Sequence, residues 1–119
     1  MAMIFHIIPK DEWLKQKAGG EYSPLSLRNE GFIHCCKADQ VLKVAQAFFG
    51  RLACELLLLR IFEQDVLPPI RYETPAEAPM SNIKFPHIFG PLNLNAVDKV
   101  FPLTKSITNE FIIPEDLLL

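Results

Sequence analysis

Four consecutive leucines at residues 56–59 are the feature that most restricts what this chain can fold into. They lie in the segment 52–61, and an unbroken run of leucines inside such a segment is typical of a strand that is buried on both faces. The opening segment 2–8 is also apolar almost throughout and is followed by Pro9, which predicts another strand inside the sheet. The two segments therefore predict a sheet with buried central strands.

Two helices are predicted beside this sheet. Residues 11–18 begin with acidic side chains, end with basic ones and precede two glycines, an order that complements the helix dipole. Residues 38–49 place apolar side chains at helical spacing before Gly50. Shorter strands are predicted over residues 31–35, 70–73 and 97–103 and for three residues around His87. With loops at 21–30 and 74–82, the sequence predicts an α+β fold.

The length and composition exclude several classes of protein. The chain has 119 residues, 50% of them hydrophobic, which is enough for one domain with its own core, so residues 1–119 are treated as a single domain. A net charge of -2 and the absence of any basic run longer than two residues argue against a dedicated nucleic-acid surface. No apolar stretch approaches the roughly 18 residues that span a bilayer, and no signal peptide is recognisable. We therefore expect a cytoplasmic protein that does not bind membranes.

The three cysteines are an odd number without the spacing of a disulfide framework. Cys36 lies just before the second predicted helix, and a helix N-terminus can lower the pKa of a thiol. Small, buried and unreactive residues are nevertheless the commoner use of such thiols. The sequence therefore predicts that Cys35, Cys36 and Cys54 are dispensable for ligand binding.

The three histidines, His6, His34 and His87, all lie within apolar, strand-like segments. A buried neutral imidazole needs partners for both ring nitrogens, so each histidine is either a separately satisfied core residue or part of one shared pocket. A catalytic zinc site with three histidine ligands is a further interpretation. The spacing argues against a metal, because the histidines lie 28 and 53 residues apart and form no close pair. We therefore expect no metal.

Two charged residues flank Tyr72 in the predicted strand 70–73. Arg71 and Glu73 are two positions apart, so their side chains point to the same face, where they can bind an anion and stabilise a positive charge. A solvent-exposed ion pair is the alternative. The backbone N–H groups at residues 37–40, which open the second predicted helix after His34, are another candidate binding site for a phosphate or carboxylate.

Five segments of the chain follow one another in a specific order and at specific intervals. They are IFHI from residue 4, GEYSPLSL from residue 20, EGFIHC from residue 30, RYE from residue 71 and FPHIFGPL from residue 85. In these segments the chain resembles the bacterial family called domain of unknown function 952. The resemblance spans residues 3–103, while residues 104–119 lie outside it. Cys36 differs from the Ser or Thr that is common at its position in the family, which excludes a catalytic hydroxyl there.

That family is similar to the ADP-ribosyltransferase-like superfamily, whose members include RNA 2′-phosphotransferases. The resemblance implies a mixed, split β-sheet with two main helices and a cleft for a nicotinamide dinucleotide. It implies that His6 binds the dinucleotide and that His34 lies near the nicotinamide, while NAD is the candidate cofactor. The predicted catalytic residues are His34, His87 and Glu73. The predicted ligand-binding residues are His6, Tyr22, Ser26 and Arg71.

The predicted function is therefore the binding of a nucleotide of the NAD or ADP-ribose type in a cleft lined by His6, His34 and His87, with an ADP-ribosyl- or phosphotransferase-like reaction. Departure of nicotinamide leaves an oxocarbenium-like sugar, so catalysis needs a nearby negative charge, for which Glu73 and Glu30 are the candidates. Without a carboxylate at the histidines, a non-catalytic ligand-binding or interaction domain is the alternative. A metal-dependent hydrolase is a further alternative, and it requires all three imidazoles to converge on one point.

Overall fold

The computed structural model describes residues 2–75 and 82–118, so part of the predicted loop 74–82 lies outside the described residues. The helices are α1 (Lys10–Gln16), α2 (Leu25–Asn29) and α3 (Val41–Phe49). The strands are β1 (Met3–Pro9), β2 (Lys17–Ala18), β3 (Glu21–Tyr22), β4 (Ile33–His34), β5 (Leu56–Phe62), β6 (Ile70–Glu73), β7 (Phe85–Ile88), β8 (Leu92–Asn93), β9 (Val97–Lys105) and β10 (Phe111–Ile112). These elements confirm the α+β class.

The strands form three sheets. β1, β5, β9 and β10 lie side by side in that order, β2, β3 and β8 form a second sheet, and β4, β7 and β6 form a third. A bridge between Phe5 and Cys36 connects β1 with the chain that follows β4. The expected mixture of parallel and antiparallel strands is wrong for the described part of the chain, because its strand pairings are all antiparallel.

The helices of this antiparallel fold are short. Parallel neighbours need a crossover connection of a dozen or more residues, which is usually a helix packed across the sheet. Among the described residues the longest helix is α3, which has nine residues and leads into β5. β5 then runs antiparallel to both of its neighbours, β1 and β9.

The leucine run forms the centre of the largest sheet and is buried on both faces, as predicted. Leu58 and Leu59 point to opposite faces of β5, and both are 0% exposed. The core cluster on the Leu59 side includes Ile4, Trp13, Tyr22, Ile33 and Ile88. The core cluster on the Leu58 side includes Phe5, Val41, Ala45, Phe101 and Phe111. The sheet of β4, β7 and β6 is thus anchored to the first cluster through Ile33 and Ile88.

The first predicted helix ends earlier than its sequence pattern indicates. α1 ends at Gln16 because the next two residues extend into β2, which pairs with β3. Gly19 and Gly20 connect these two strands with φ angles of 60° and 81°. Two successive positive φ angles are the geometry of a tight hairpin turn, which glycine adopts without steric cost. The two glycines therefore form a hairpin turn and do not end a helix.

The second predicted helix starts later, at Val41, after a 3-10 turn at Ala38–Gln40. A short helix, α2, occupies the middle of the segment 21–30 that was predicted to be a loop. Its end is closed by the carbonyl oxygen of Ser26, which accepts the N–H groups of Glu30 and Gly31 at 2.7 and 3.1 Å. No helix within residues 2–75 and 82–118 is long and apolar enough to cross a membrane.

The C-terminal segment beyond the family resemblance packs back onto the largest sheet. β10 pairs with the end of β9, and Leu117 is buried. Arg60, which is only 7% exposed, donates from Nε to Asp98 Oδ2 at 2.7 Å. Its Nη1 donates to the carbonyl oxygens of Asp116 and Leu117 at 3.2 and 3.1 Å. The buried guanidinium of Arg60 therefore binds the C-terminal segment to the core.

Candidate functional site

One face of the sheet formed by β4, β7 and β6 carries a row of polar side chains. The strand register places His34 opposite His87, and His87 opposite Arg71. Residues opposite each other in antiparallel strands have their side chains on the same face, and Glu73 shares it because it lies two residues from Arg71. We call this surface the histidine face, and it consists of Glu30, Phe32, His34, Arg71, Glu73, His87 and Phe89.

His87 is the buried member of the histidine face. Its side chain is 8% exposed, and its Nδ1 lies 2.8 Å from Glu73 Oε1. Since a carboxylate only accepts, Nδ1 donates, and Nε2 is the acceptor nitrogen of the neutral ring. The ring of Phe32 stacks on this imidazole with a centroid distance of 4.1 Å and an angle of 19° between the planes. The carboxylate and the phenyl ring together define both the tautomer and the orientation of His87.

His34 has a similar arrangement at the solvent boundary. Its side chain is 53% exposed, and Nε2 donates to Glu30 Oε2 at 2.8 Å. The imidazole rings of His34 and His87 are 5.4 Å apart between centroids and are tilted by 76°. Each of the two histidines is therefore paired with a carboxylate.

Arg71 completes the row on β6. It is exposed, and its guanidinium carbon lies 5.1 Å from the ring centroid of Phe89, which is a cation–π contact. Phe89 in turn contacts Phe32, with 5.3 Å between ring centroids. The face thus presents one cation, two aromatic rings and two imidazole–carboxylate pairs within a few strand positions.

His6 lies behind β4 and faces the protein interior. It is 5% exposed, its Nδ1 lies 2.5 Å from the carbonyl oxygen of His34, and its Nε2 lies 2.8 Å from the Tyr22 hydroxyl. Burial lowers the pKa of His6 to about 4, so the ring is neutral near pH 7. Tyr22 is itself fully buried and contacts Trp13 edge to face. A ligand can reach His6 or Tyr22 only by displacing these contacts.

The structure therefore brings together some of the predicted site residues and separates others, and the prediction of one cleft lined by all three histidines is wrong because His6 faces the core. His34, His87, Glu73 and Arg71 share one surface. His6 contacts that surface through the carbonyl oxygen of His34, while Ser26 lies in α2 and supports the turn that carries Glu30. Direct ligand contacts by His6, Tyr22 and Ser26 remain predictions.

Phe32 and Phe89 are members of the face that the sequence reasoning missed. Both lie two residues from a predicted histidine, in the order Phe32, His34 and His87, Phe89. Because alternate residues of a strand point to the same face, this spacing could have placed the two aromatic rings beside the imidazoles. Glu30 was considered as a charge, but its contact with His34 was not foreseen, because it depends on the turn at Gly31, where φ is 89°.

Two of the four backbone N–H groups at residues 37–40 donate within the chain, that of Gln40 to the Lys37 carbonyl oxygen at 2.9 Å, and a phosphate site there stays a prediction. The N–H of Lys37 donates to Gln40 Oε1 at 2.8 Å, so the chain itself occupies this donor. Burial and the nearby Asp39 raise the pKa of Cys36 to about 12, which opposes a reactive thiolate. Within residues 2–75 and 82–118, no group of three or more His, Cys, Asp or Glu residues could bind a metal ion, so the metal-hydrolase alternative has no geometric support there.

Two cavities of the molecule lie elsewhere. The larger, of about 790 Å³, is lined among others by Arg51, Cys54, Lys105 and Phe111. The smaller, of about 250 Å³, lies around Pro24 and includes none of the three histidines. Neither cavity corresponds to the dinucleotide cleft that the superfamily resemblance implies, and the histidine face is the surface on which the predicted catalytic residues meet.

The fold and the face define a small α+β protein with paired imidazole–carboxylate groups on an antiparallel sheet. Over residues 7–100 the chain matches the model of the family described as "Protein of unknown function (DUF952)", and it belongs to that family. The family prediction is therefore confirmed.

A solved relative shares this fold over nearly its whole length. The chain is similar to the crystal structure of protein CC0527 from Caulobacter crescentus, with 25% identity, a TM-score of 0.77, and coverage of 98% of this chain and 99% of that one. The solution NMR structure of CC0527 matches with 27% identity, a TM-score of 0.63, and coverage of 92% and 91%. No curated protein matches this chain. The link to the ADP-ribosyltransferase-like superfamily stays a hypothesis.

Proposed function

We propose that the histidine face binds a ribonucleotide of the NAD or ADP-ribose type. The observation that carries this proposal is the arrangement of His34 and His87 in one row with Arg71. Their rings are 5.4 Å apart, and one nitrogen of each ring is paired with a carboxylate. Such a row combines hydrogen-bond acceptors with a cation, and a nucleotide has the complementary groups.

The tautomers of the two imidazoles suit a ribose. Because His34 donates through Nε2 and His87 through Nδ1, the remaining nitrogen of each neutral ring is an acceptor. A ribose hydroxyl can reach the half-exposed ring of His34, whereas the His87 ring is 8% exposed and lies against Phe32, so a second hydroxyl reaches it only if Phe32 moves. Arg71 offers planar donors that match a phosphate, and its exposed position leaves room for one.

The same groups support a transferase-like reaction. Loss of a leaving group from the ribose carbon creates positive charge, and Glu30 and Glu73 place negative charge at the imidazoles. In such a transfer the bond to the leaving group breaks, an acceptor oxygen bonds to the same carbon, and the proton of the acceptor moves to an imidazole. NAD is then the substrate and supplies the ribosyl group. Phosphoryl transfer to or from a ribose hydroxyl would use the same imidazole acid and base.

A non-catalytic ligand-binding domain is the second candidate. It is favoured by the exposure of the face, since the side chains of His34 and Glu30 are both about half exposed and water reaches them. Transfer reactions of this kind usually need water to be excluded from the site. The two candidates are separated by turnover, because both predict binding and only the first predicts release of nicotinamide from NAD.

Calorimetric titration with NAD and with ADP-ribose tests the proposal. We expect wild-type protein to bind, and Arg71→Ala to weaken ADP-ribose binding by roughly 10- to 100-fold, as the loss of charge-assisted hydrogen bonds predicts. His34→Ala and His87→Ala should also weaken it. Arg51→Ala, which removes an exposed arginine that lines the larger cavity and is not part of the histidine face, is the matched control. No heat of binding at millimolar ligand would end the nucleotide proposal.

A further inference from the structure

β1 and β4 separate where two of the sheets meet. Phe5 and Cys36 exchange two backbone hydrogen bonds of 2.7 and 2.8 Å, but this bridge is isolated. Two residues earlier in the chain, the carbonyl oxygen of His34 accepts a hydrogen bond from His6 Nδ1 at 2.5 Å. The imidazole of His6 thus takes the place that a backbone N–H would have if the pairing continued.

The bonding pattern of His6 is determined at both ring nitrogens. A carbonyl oxygen only accepts, so Nδ1 carries the proton and donates to His34. Nε2 of the neutral ring is then an acceptor, and the Tyr22 hydroxyl, 2.8 Å away, donates to it. Both contacts require the same tautomer, so they support each other and no ring nitrogen remains for a ligand.

The strand that depends on this bond is short. β4 consists of only Ile33 and His34, and one of its edges is paired with β7. On its other edge, the His6 ring donates to the His34 carbonyl oxygen. Loss of that bond would leave a carbonyl group without its partner directly beside the imidazole that contacts Glu30 and His87.

We propose that His6 is a positioning residue that fixes the backbone of His34 and thereby orients its imidazole within the histidine face. This inference rests on the proposed function for its consequence, because the orientation matters through what His34 binds. It differs from the role that the superfamily resemblance implies for His6, which is direct contact with a dinucleotide.

Three variants separate the two bonds of His6. His6→Asn keeps an amide donor near the position of Nδ1 and loses the contact with Tyr22. His6→Leu introduces an apolar side chain of similar size and so removes both bonds. Tyr22→Phe removes only the hydroxyl donor. Phe111→Leu, in the core cluster on the other side of the main sheet, is the control for a general loss of packing.

Two readouts are needed on each folded variant. The first is the NMR titration of the His34 and His87 imidazoles together with the amide shifts of Ile33 and His34, which requires no ligand. The second is the affinity for ADP-ribose by calorimetry. We expect His6→Leu to shift the His34 titration and to weaken the binding of ADP-ribose by about tenfold. Tyr22→Phe and His6→Asn should each weaken this binding by about threefold or less, in line with the usual contribution of one hydrogen bond.

Several results of these measurements would overturn the positioning role of His6. An unchanged His34 titration in folded His6→Leu, or an equal loss in His6→Asn and His6→Leu, would overturn the positioning role. Changes of the same size in Phe111→Leu would also overturn it. If His6→Leu does not fold, the same NMR signals of His6→Asn and Tyr22→Phe are compared with those of wild type, and this comparison tests the positioning role. If wild type binds no nucleotide but the His34 signals respond as expected, the proposed function fails and the positioning role stands.

Discussion

The four-stranded sheet and the histidine face use burial in opposite ways. In the four-stranded sheet, apolar side chains cover both faces of β5, and the buried charge of Arg60 has Asp98 and two backbone carbonyls as partners. In the histidine face, the carboxylates of Glu30 and Glu73 are about half exposed although they contact imidazoles. The comparison indicates that one sheet supplies most of the stability, while the other presents the groups that can bind a ligand.

His6 connects the two regions. Its backbone belongs to β1 of the four-stranded sheet, opposite Leu59, and its ring contacts the carbonyl oxygen of His34 on the other sheet. Substitutions in the first region should therefore change the free energy of unfolding, substitutions in the second should change ligand affinity, and substitutions of His6 should change both.

The largest effect is expected at the centre of the four-stranded sheet. Leu58→Ala removes a side chain that is 0% exposed and should lower the free energy of unfolding by about 3 kcal/mol, because it leaves a cavity between packed layers. Leu67→Ala is the matched control, since Leu67 is 82% exposed, and it should cost less than about 0.5 kcal/mol. Urea unfolding measures both. Similar losses for the two variants would contradict the assignment of stability to this sheet.

The second effect is a dependence of stability on pH that comes from His6. Burial lowers its pKa from 6.5 to about 4, so between these values the unfolded chain binds the proton more readily than the folded chain. The contribution of His6 to the free energy of unfolding is therefore complete above pH 6.5, and it is lost as the pH falls from 6.5 through 4. Each pKa unit corresponds to about 1.4 kcal/mol, so the full loss is about 3 kcal/mol.

Urea unfolding of wild type and His6→Asn, from about pH 7.5 to about pH 4, measures this contribution. Carboxylates also titrate in this range, so the contribution of His6 is obtained as the difference between the two profiles. We expect the wild-type profile to fall more steeply toward acid. Parallel profiles would show that His6 is accessible to protons in the folded chain.

A smaller effect is expected for the buried arginine. Arg60→Met keeps much of the side-chain volume but leaves Asp98 and the carbonyl groups of Asp116 and Leu117 without their donor. We expect a loss of about 2 kcal/mol in the free energy of unfolding, less than for a fully buried ion pair because Asp98 is partly exposed. Limited proteolysis should also cut the C-terminal segment faster. Arg51→Met is the control, and an Arg60→Met protein as stable as this control would refute the role of Arg60.

The smallest effect on stability is expected in the histidine face. Glu73→Gln keeps an acceptor for His87 Nδ1 but removes the charge, so the free energy of unfolding should change by less than about 0.5 kcal/mol. The affinity for ADP-ribose should fall by roughly 3- to 10-fold, because the charge-assisted hydrogen bond that orients the His87 imidazole becomes a neutral one. Calorimetry on this variant and on Glu115→Gln, an exposed residue of the C-terminal segment, measures the difference. A large loss in the free energy of unfolding of Glu73→Gln would contradict the assignment of stability to the four-stranded sheet and of ligand binding to the histidine face.

Local patterns were sufficient for the elements that depend on neighbouring residues. The leucine run indicated a strand buried on both faces, which the core clusters confirm. The alternation in β6 indicated that Arg71 and Glu73 share a face, and the register agrees. Where a local pattern fits two structures, the sequence reasoning chose wrongly, as at Gly19 and Gly20, because a helix end and a hairpin turn both favour glycine.

By itself, the sequence determined which segments are apolar, where the three longest strands and α3 lie within a few residues, and which family the chain belongs to. Only the tertiary structure decided that His34 and His87 meet on one surface while His6 lies behind it, and that Glu30 and Glu73 are their partners. The reason is that strand register between segments 28 and 53 residues apart is selected by packing across the whole core. Local propensity depends only on adjacent residues, so it carries no information about which strands pair or which face is covered.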